Sequence, residues 1–137
     1  LTQGKRVIHM ASYAEMQGAI GVVVNAPTKN DVITELRETI DIPIIVTIAR
    51  EDADVYARVE AGMSIANVSA AGETANVVRK IRAEFPELPI IATGGPTEET
   101  ILETIEAGAN AITWTAPSNG EIFKKIMAAY RAGEAHP

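Results

Sequence analysis

The stretch "DIPIIVTIAREDADVYARVEAGMSIANVSA" (41–70) returns 46 positions later as "ELPIIATGGPTEETILETIEAGANAITWTA" (87–116). Pro43 falls on Pro89, Ile44-Ile45 on Ile90-Ile91, Thr47 on Thr93, and Glu60-Ala61-Gly62 on Glu106-Ala107-Gly108. So dense a match reads as one structural unit used twice. Each copy opens on a short β-branched apolar run, which suits a buried strand. A stripe of apolar residues at i, i+1, i+4 follows, as in a helix laid on a sheet. A glycine and a second apolar run close the pattern. A weaker echo, "NAPTKNDVITEL" (25–36) on "TAPSNGEIFKKI" (115–126), lies 90 positions apart and extends it towards both ends.

Working outward, the chain reads as three (βα)2 units, 1–40, 41–86 and 87–132, within a single α/β domain over 1–137. Strands are expected at 6–11, 20–25, 43–48, 64–69, 89–93 and 110–115. The helices between them carry Val32-Ile33-Leu36, Val55-Tyr56-Val59, Val77-Val78-Ile81, Ile101-Leu102-Ile105 and Ile122-Phe123-Ile126. Thr97 before Glu98 and Glu99 suits a helix N-cap, and Gly62 and Gly108 suit C-caps. The first helix, near 12–18, is the shortest and least patterned. Strands alternating with helices imply a parallel sheet with right-handed crossovers. A (βα)6 chain fits either most of a closed barrel or a doubly wound open sheet. The pairwise recurrence favours an incomplete, TIM-barrel-like sheet or a barrel fragment, because an open doubly wound sheet reverses its strand order.

Composition narrows the partners. The chain has 137 residues, with 12 Lys plus Arg against 18 Asp plus Glu, a net charge of −6. That disfavours a nucleic-acid backbone, which calls for clustered positive charge. The one basic cluster, Arg79, Lys80 and Arg82, reads as a solvated helix face. With no cysteine there is no disulfide, thiolate metal site or cysteine nucleophile, and two histidines cannot make a zinc site alone. No metal and no cofactor are expected. Neither a membrane span nor a signal peptide is legible, so a cytoplasmic location is expected by default. The chain begins with Leu1, which suggests a piece of a longer protein.

"PIIATGGPTEETILETIEAGANAITW" (89–114) resembles the last two βα units of the phosphate-binding (β/α)8 barrels, among them the N-acetylmannosamine-6-phosphate epimerases and the histidine-biosynthesis barrels. "IEAGANAI" and "VEAGMSIANVS" are similar to the helix-end and strand signature of that group. The likeness covers about 41–132 and extends to small bacterial barrel-like proteins with a generic hydrolase label. It implies a small phosphorylated substrate gripped by the two loops after the last two strands. Two departures stand out. The Gly-Ser or Gly-Thr usual after the last strand is here Thr-Ala-Pro, and no lysine occupies the strand-end place that the epimerases use. An eight-stranded barrel also needs about 200 residues or more. Exposed sheet edges in a shorter chain point to a homo-oligomer.

In either architecture a ligand sits at the C-terminal ends of the strands. Alternation along the strands places His9, Asn25, Thr47, Asn67, Ser69, Thr93, Thr113 and Thr115 on one face. Val24, Val46, Val68 and Trp114 belong to the other face, under the helices. The polar row suits holding a ligand but supplies almost no acid or base. Candidate catalytic groups are therefore His9, because histidine as a residue type is useful near neutral pH, and the loop carboxylates Glu51 and Asp52. Arg50 is a candidate anion contact. Gly94 and Gly95 would let backbone N–H groups approach a phosphate at the helix start. Ser118, Asn119 and Gly120 offer a second set. The glycines replace Ile48 and Ala49 of the earlier copy, so a strand-to-helix joint does not require them as such. The first functional reading is thus an isomerase, lyase or hydrolase acting on a small phosphorylated or anionic molecule. The second is a non-catalytic ligand-binding or structural domain that oligomerises through its sheet edge.

Overall fold

In the computed structural model, which describes residues 2–114 and 117–133, one helix precedes five βα units. The order is α1 (Thr2–Met16), β1 (Val22–Val24), α2 (Asn30–Thr39), β2 (Ile44–Ile48), α3 (Val55–Ala61) and β3 (Ile65–Val68). A 3-10 turn (Ala71–Glu73), α4 (Thr74–Glu84), β4 (Ile90–Thr93), α5 (Glu98–Ala107), β5 (Ala111–Thr113) and α6 (Asn119–Arg131) follow. All neighbouring strands are parallel, and their spatial order is β1-β2-β3-β4-β5. A doubly wound sheet would reverse direction, whereas sequential order with right-handed crossovers keeps the helices on one side and curls towards a barrel. The architecture is an incomplete TIM-barrel-like sheet.

The expected strand at 6–11 is instead the middle of α1. Only Val7, Ile8 and Ala11 of "RVIHMA" turn inward, at i, i+1, i+4, while Arg6, His9 and Met10 are exposed. A short apolar run fits either period, and the helix begins well before it. The chain is therefore α(βα)5 and not (βα)6, and unit 1–40 keeps only one of its two expected strands. The helix expected at 12–18 is the end of α1.

One sheet face is packed. Val24, Ile44, Val46, Ile48, Ala66, Val68, Ile90 and Ala92 are buried and alternate with more open neighbours. Ile33 and Leu36 of α2, and Val77, Val78 and Ile81 of α4, close over them. The other face is the more open one and leaves Val23 60% exposed. The apolar stripe is covered only in part along α3 and α5, where Tyr56, Leu102 and Ile105 stay exposed. On α6 no residue is buried, and Ile122, Phe123 and Ile126 face outward. Trp114, expected under the helices, is 56% exposed, because β5 ends at Thr113 and α6 does not close over it.

The ends of the elements carry the capping chemistry. Thr97 caps α5, accepting from Thr100 N–H, and Gly62 and Gly108 end α3 and α5 at φ 134° and 121°. At the strand N-terminal end Arg82 acts as a clamp. Its guanidinium donates to the carbonyls of Phe85, Pro86, Leu88 and Gly108 and to Asn110 Oδ1, at 2.7–3.1 Å. The basic cluster is thus only partly a solvated face.

Candidate functional site

The strand register brings the expected polar row together. Thr47 lies beside Asn67 in the β2–β3 pair and Thr93 beside Thr113 in the β4–β5 pair, while Asn67 meets Ile91 in the β3–β4 pair between them. Asn67 Nδ2 donates to Thr47 Oγ1 at 3.2 Å, and Thr93 Oγ1 is 3.4 Å from Thr74 Oγ1. Thr74 is buried at the start of α4, accepts from Ala70 N–H at 3.0 Å and donates to the Ala71 carbonyl at 2.9 Å. Thr113 Oγ1 reaches the Ala92 carbonyl at 3.5 Å, and Ser69 N–H donates to the Ile48 carbonyl at 3.0 Å. These side chains occupy the open face near the strand ends, opposite the buried Val24, Val46 and Val68. Asn25 is exposed just beyond β1, where its Oδ1 accepts from Thr28 Oγ1 at 2.9 Å and steadies a turn. Thr115 lies outside the described residues.

His9 departs from this group. It sits on the outer side of α1, in a shallow depression of about 450 Å3 shared with Arg6, Met10 and Tyr13. No strand-end residue lines that depression, since residues 6–11 form no strand. Glu51 and Asp52 precede α3, whose N-cap is Asp54, and so lie in the loop as expected. Both are exposed. Glu51 contributes its carbonyl to Lys80 Nζ (3.1 Å), and Asp52 pairs with Arg50 at 3.0 Å.

The glycine joint is more crowded than its sequence suggests. Gly94 is buried, and a Cβ there would stand 2.6 Å from Ile112 Cγ2 and 2.8 Å from Ile101 Cγ1. Gly95 adopts φ +76°, with Thr100 Oγ1 2.7 Å from where its Cβ would lie. Thr100 Oγ1 is itself fixed by a capping box, accepting from Thr97 N–H at 3.2 Å and donating to the Thr97 carbonyl at 2.8 Å. The N–H groups of Gly94, Thr97, Thr100 and Ile101 all have protein acceptors. Local packing therefore gives both glycines a reason. Ser118 caps α6, its Oγ accepting from Glu121 N–H at 3.1 Å, and Asn119 and Gly120 form the exposed first turn.

Between the β1–α2 and β2–α3 loops lies a cleft of about 500 Å3. Thr47, Arg50 and Asp52 line it, joined by Lys29, Asn30 and Arg58, which sequence reasoning passed over. Arg58 projects from α3 and donates to the carbonyls of Ala26 and Thr28 and to Asn30 Oδ1. Desolvation by burial holds its guanidinium below the usual arginine range. A signal for it existed, since 46 positions on the same place holds Thr104, a small and buried residue. Among the described residues no cluster of three or more His, Asp or Glu could hold a metal ion, and no helix is long and apolar enough to cross a membrane.

Compared with solved structures, the chain superposes on mandelate oxidases. The complex with benzoyl-formic acid gives a TM-score of 0.70 at 17% identity, covering 81% of this chain and 46% of the oxidase chain. The complex with 3,3-difluoro-2-hydroxy-3-phenylpropionic acid gives the same figures. A mandelate oxidase variant with a monooxide FMN adduct gives 0.71 at 19%, covering 83% and 46%. This is a barrel fold. The chain spans less than half the length of these oxidases. No family model matches, and no curated protein matches. The likeness reaches the parallel α/β barrel fold, and it does not extend to the phosphate-binding group as such.

Proposed function

We propose that the domain binds a small phosphorylated molecule at the C-terminal ends of its strands. The observation that carries this reading is the row of Thr47, Asn67, Thr93 and Thr113 on the open sheet face. Neutral donors and acceptors on rigid strands orient a polar ligand without adding charge of their own. FMN, present as an adduct in two of the matched oxidase structures, is itself a phosphomonoester and belongs among the ligands to try. Turnover as an isomerase, lyase or hydrolase would draw its acid or base from the rim, where Asp52 is one of the carboxylates lining the cleft. A thermal-shift series with inorganic phosphate, sugar phosphates and FMN tests the reading. A rise in melting temperature with at least one of them is expected, and none with any would overturn it.

A second reading rests on a different observation. β1 and β5 are unpaired edges of a parallel sheet, and the open face beside them leaves Val23 exposed. Such edges pair readily with another chain. On this reading the domain self-associates through its edge, with or without a ligand. Native mass spectrometry is expected to show a concentration-dependent dimer or larger species, and a strict monomer would remove this reading.

A further inference from the structure

We propose that the cleft between the β1–α2 and β2–α3 loops is an anion subsite in which Lys29 and Arg58 hold a phosphate group. This rests on the phosphorylated-ligand reading and places the phosphate away from the glycine joint. The volume, about 500 Å3, suits a phosphomonoester headgroup with part of its ester. Five charged side chains line the cleft: Lys29, Arg50, Asp52, Asp54 and Arg58. Arg50 and Asp52 neutralise each other at 3.0 Å. Asp54 accepts from Ala57 N–H at 3.0 Å as the cap of α3. Lys29 and Arg58 have no carboxylate partner among the described residues, in a chain whose net charge is −6.

Arg58 is also pre-aimed. Guanidinium has five N–H donors in a fixed fork. Three bonds tie Nη1 and one hydrogen of Nη2 to Ala26, Thr28 and Asn30. Two donors are left, Nε–H and the second Nη2 hydrogen, on a group that cannot swing away. Partly desolvated positive charge that meets only carbonyls gains most from an arriving anion. The glycine joint offers the reverse. Four of its N–H groups are occupied, and Glu98 and Glu99 put negative charge at the helix start.

The test is an amide-resonance titration with inorganic phosphate at low ionic strength, repeated with FMN. The largest shifts are expected over 26–30 and 49–54. Lys29→Ala, an exposed change that leaves the three Arg58 bonds intact, should weaken phosphate binding about tenfold, the size of one charge-assisted bond. Arg58→Lys should weaken it as well, while Thr97→Ala should leave it unchanged. Undiminished binding in Lys29→Ala overturns the subsite. Shifts centred on 94–100 also overturn it, while leaving the phosphorylated-ligand reading standing. Absence of any shift with either probe overturns the subsite, and overturns the phosphorylated-ligand reading too once sugar phosphates also give none.

Discussion

Two joints 46 residues apart, β2 to α3 and β4 to α5, share a sequence frame and solve the same turn differently. At the first, Ile48 is buried in the core, and Val55 and Ala66 are a medium and a small member of the same apolar cluster. At the second the sizes are exchanged. Gly94 is small, and the counterparts of Val55 and Ala66 are Ile101 and Ile112, both touching the space a side chain at 94 would need. Bulk has moved from the strand end to its neighbours. The first joint stays open towards the cleft, and the second is filled by its own side chains. A glycine pair is thus a sign of close approach, but what approaches can be the protein itself.

The comparison breaks most visibly at Ile48. Truncation to alanine should destabilise the domain by about 2–5 kcal/mol through lost burial and a residual cavity. Urea unfolding with an unchanged slope measures it. A loss near zero would mean that the two joints are not packed in the complementary way described.

Gly94→Ala should cost less, about 1–3 kcal/mol, because Ile112 and Ile101 must yield. The sharper measurement is the double variant. Pairing Gly94→Ala with Ile112→Ala recreates the size order of the first joint, so the two losses should fall short of additive by about 1 kcal/mol. Strict additivity would place the cause elsewhere.

That exchange also explains which features could be read in advance. Strand alternation places Thr47, Asn67, Thr93 and Thr113 opposite Val24, Val46 and Val68, because side-chain period is a local property. Thr97, Gly62 and Gly108 act as caps for the same reason. Gly94 does not yield to such reading, since its cause lies in two side chains 7 and 18 positions away. His9 fails differently, because "RVIHMA" is too short for period to separate strand from helix. For Arg58 the repeat signals only a change of residue type, Thr104 in the other copy, while its partners, backbone carbonyls of another loop, follow from no spacing.

Caps offer a smaller contrast between the joints. Asp54 caps α3 by one bond, from Ala57 N–H at 3.0 Å, whereas Thr97 caps α5 within a reciprocal box with Thr100. Each truncation to alanine should cost about 1 kcal/mol. Thr97→Ala should also loosen Thr100, against which Gly95 is set, and so raise hydrogen exchange over 95–100 beyond what Asp54→Ala does over 54–57. Equal exchange at the two joints would show that the box confers no extra rigidity.

The smallest effect is expected at the rim of the open joint. Arg50 and Asp52 meet at 3.0 Å with side chains 78% and 70% exposed. Water screens such a pair, and holding two flexible side chains together opposes the attraction. Arg50→Ala should therefore leave the unfolding midpoint unchanged within error, at both low and high salt. A clear loss at low salt that vanishes at high salt would show instead that Arg50 answers to more than Asp52. Asp54, the other carboxylate in that cleft, would then be its second partner, and the first joint would be held by charge where the second is held by packing.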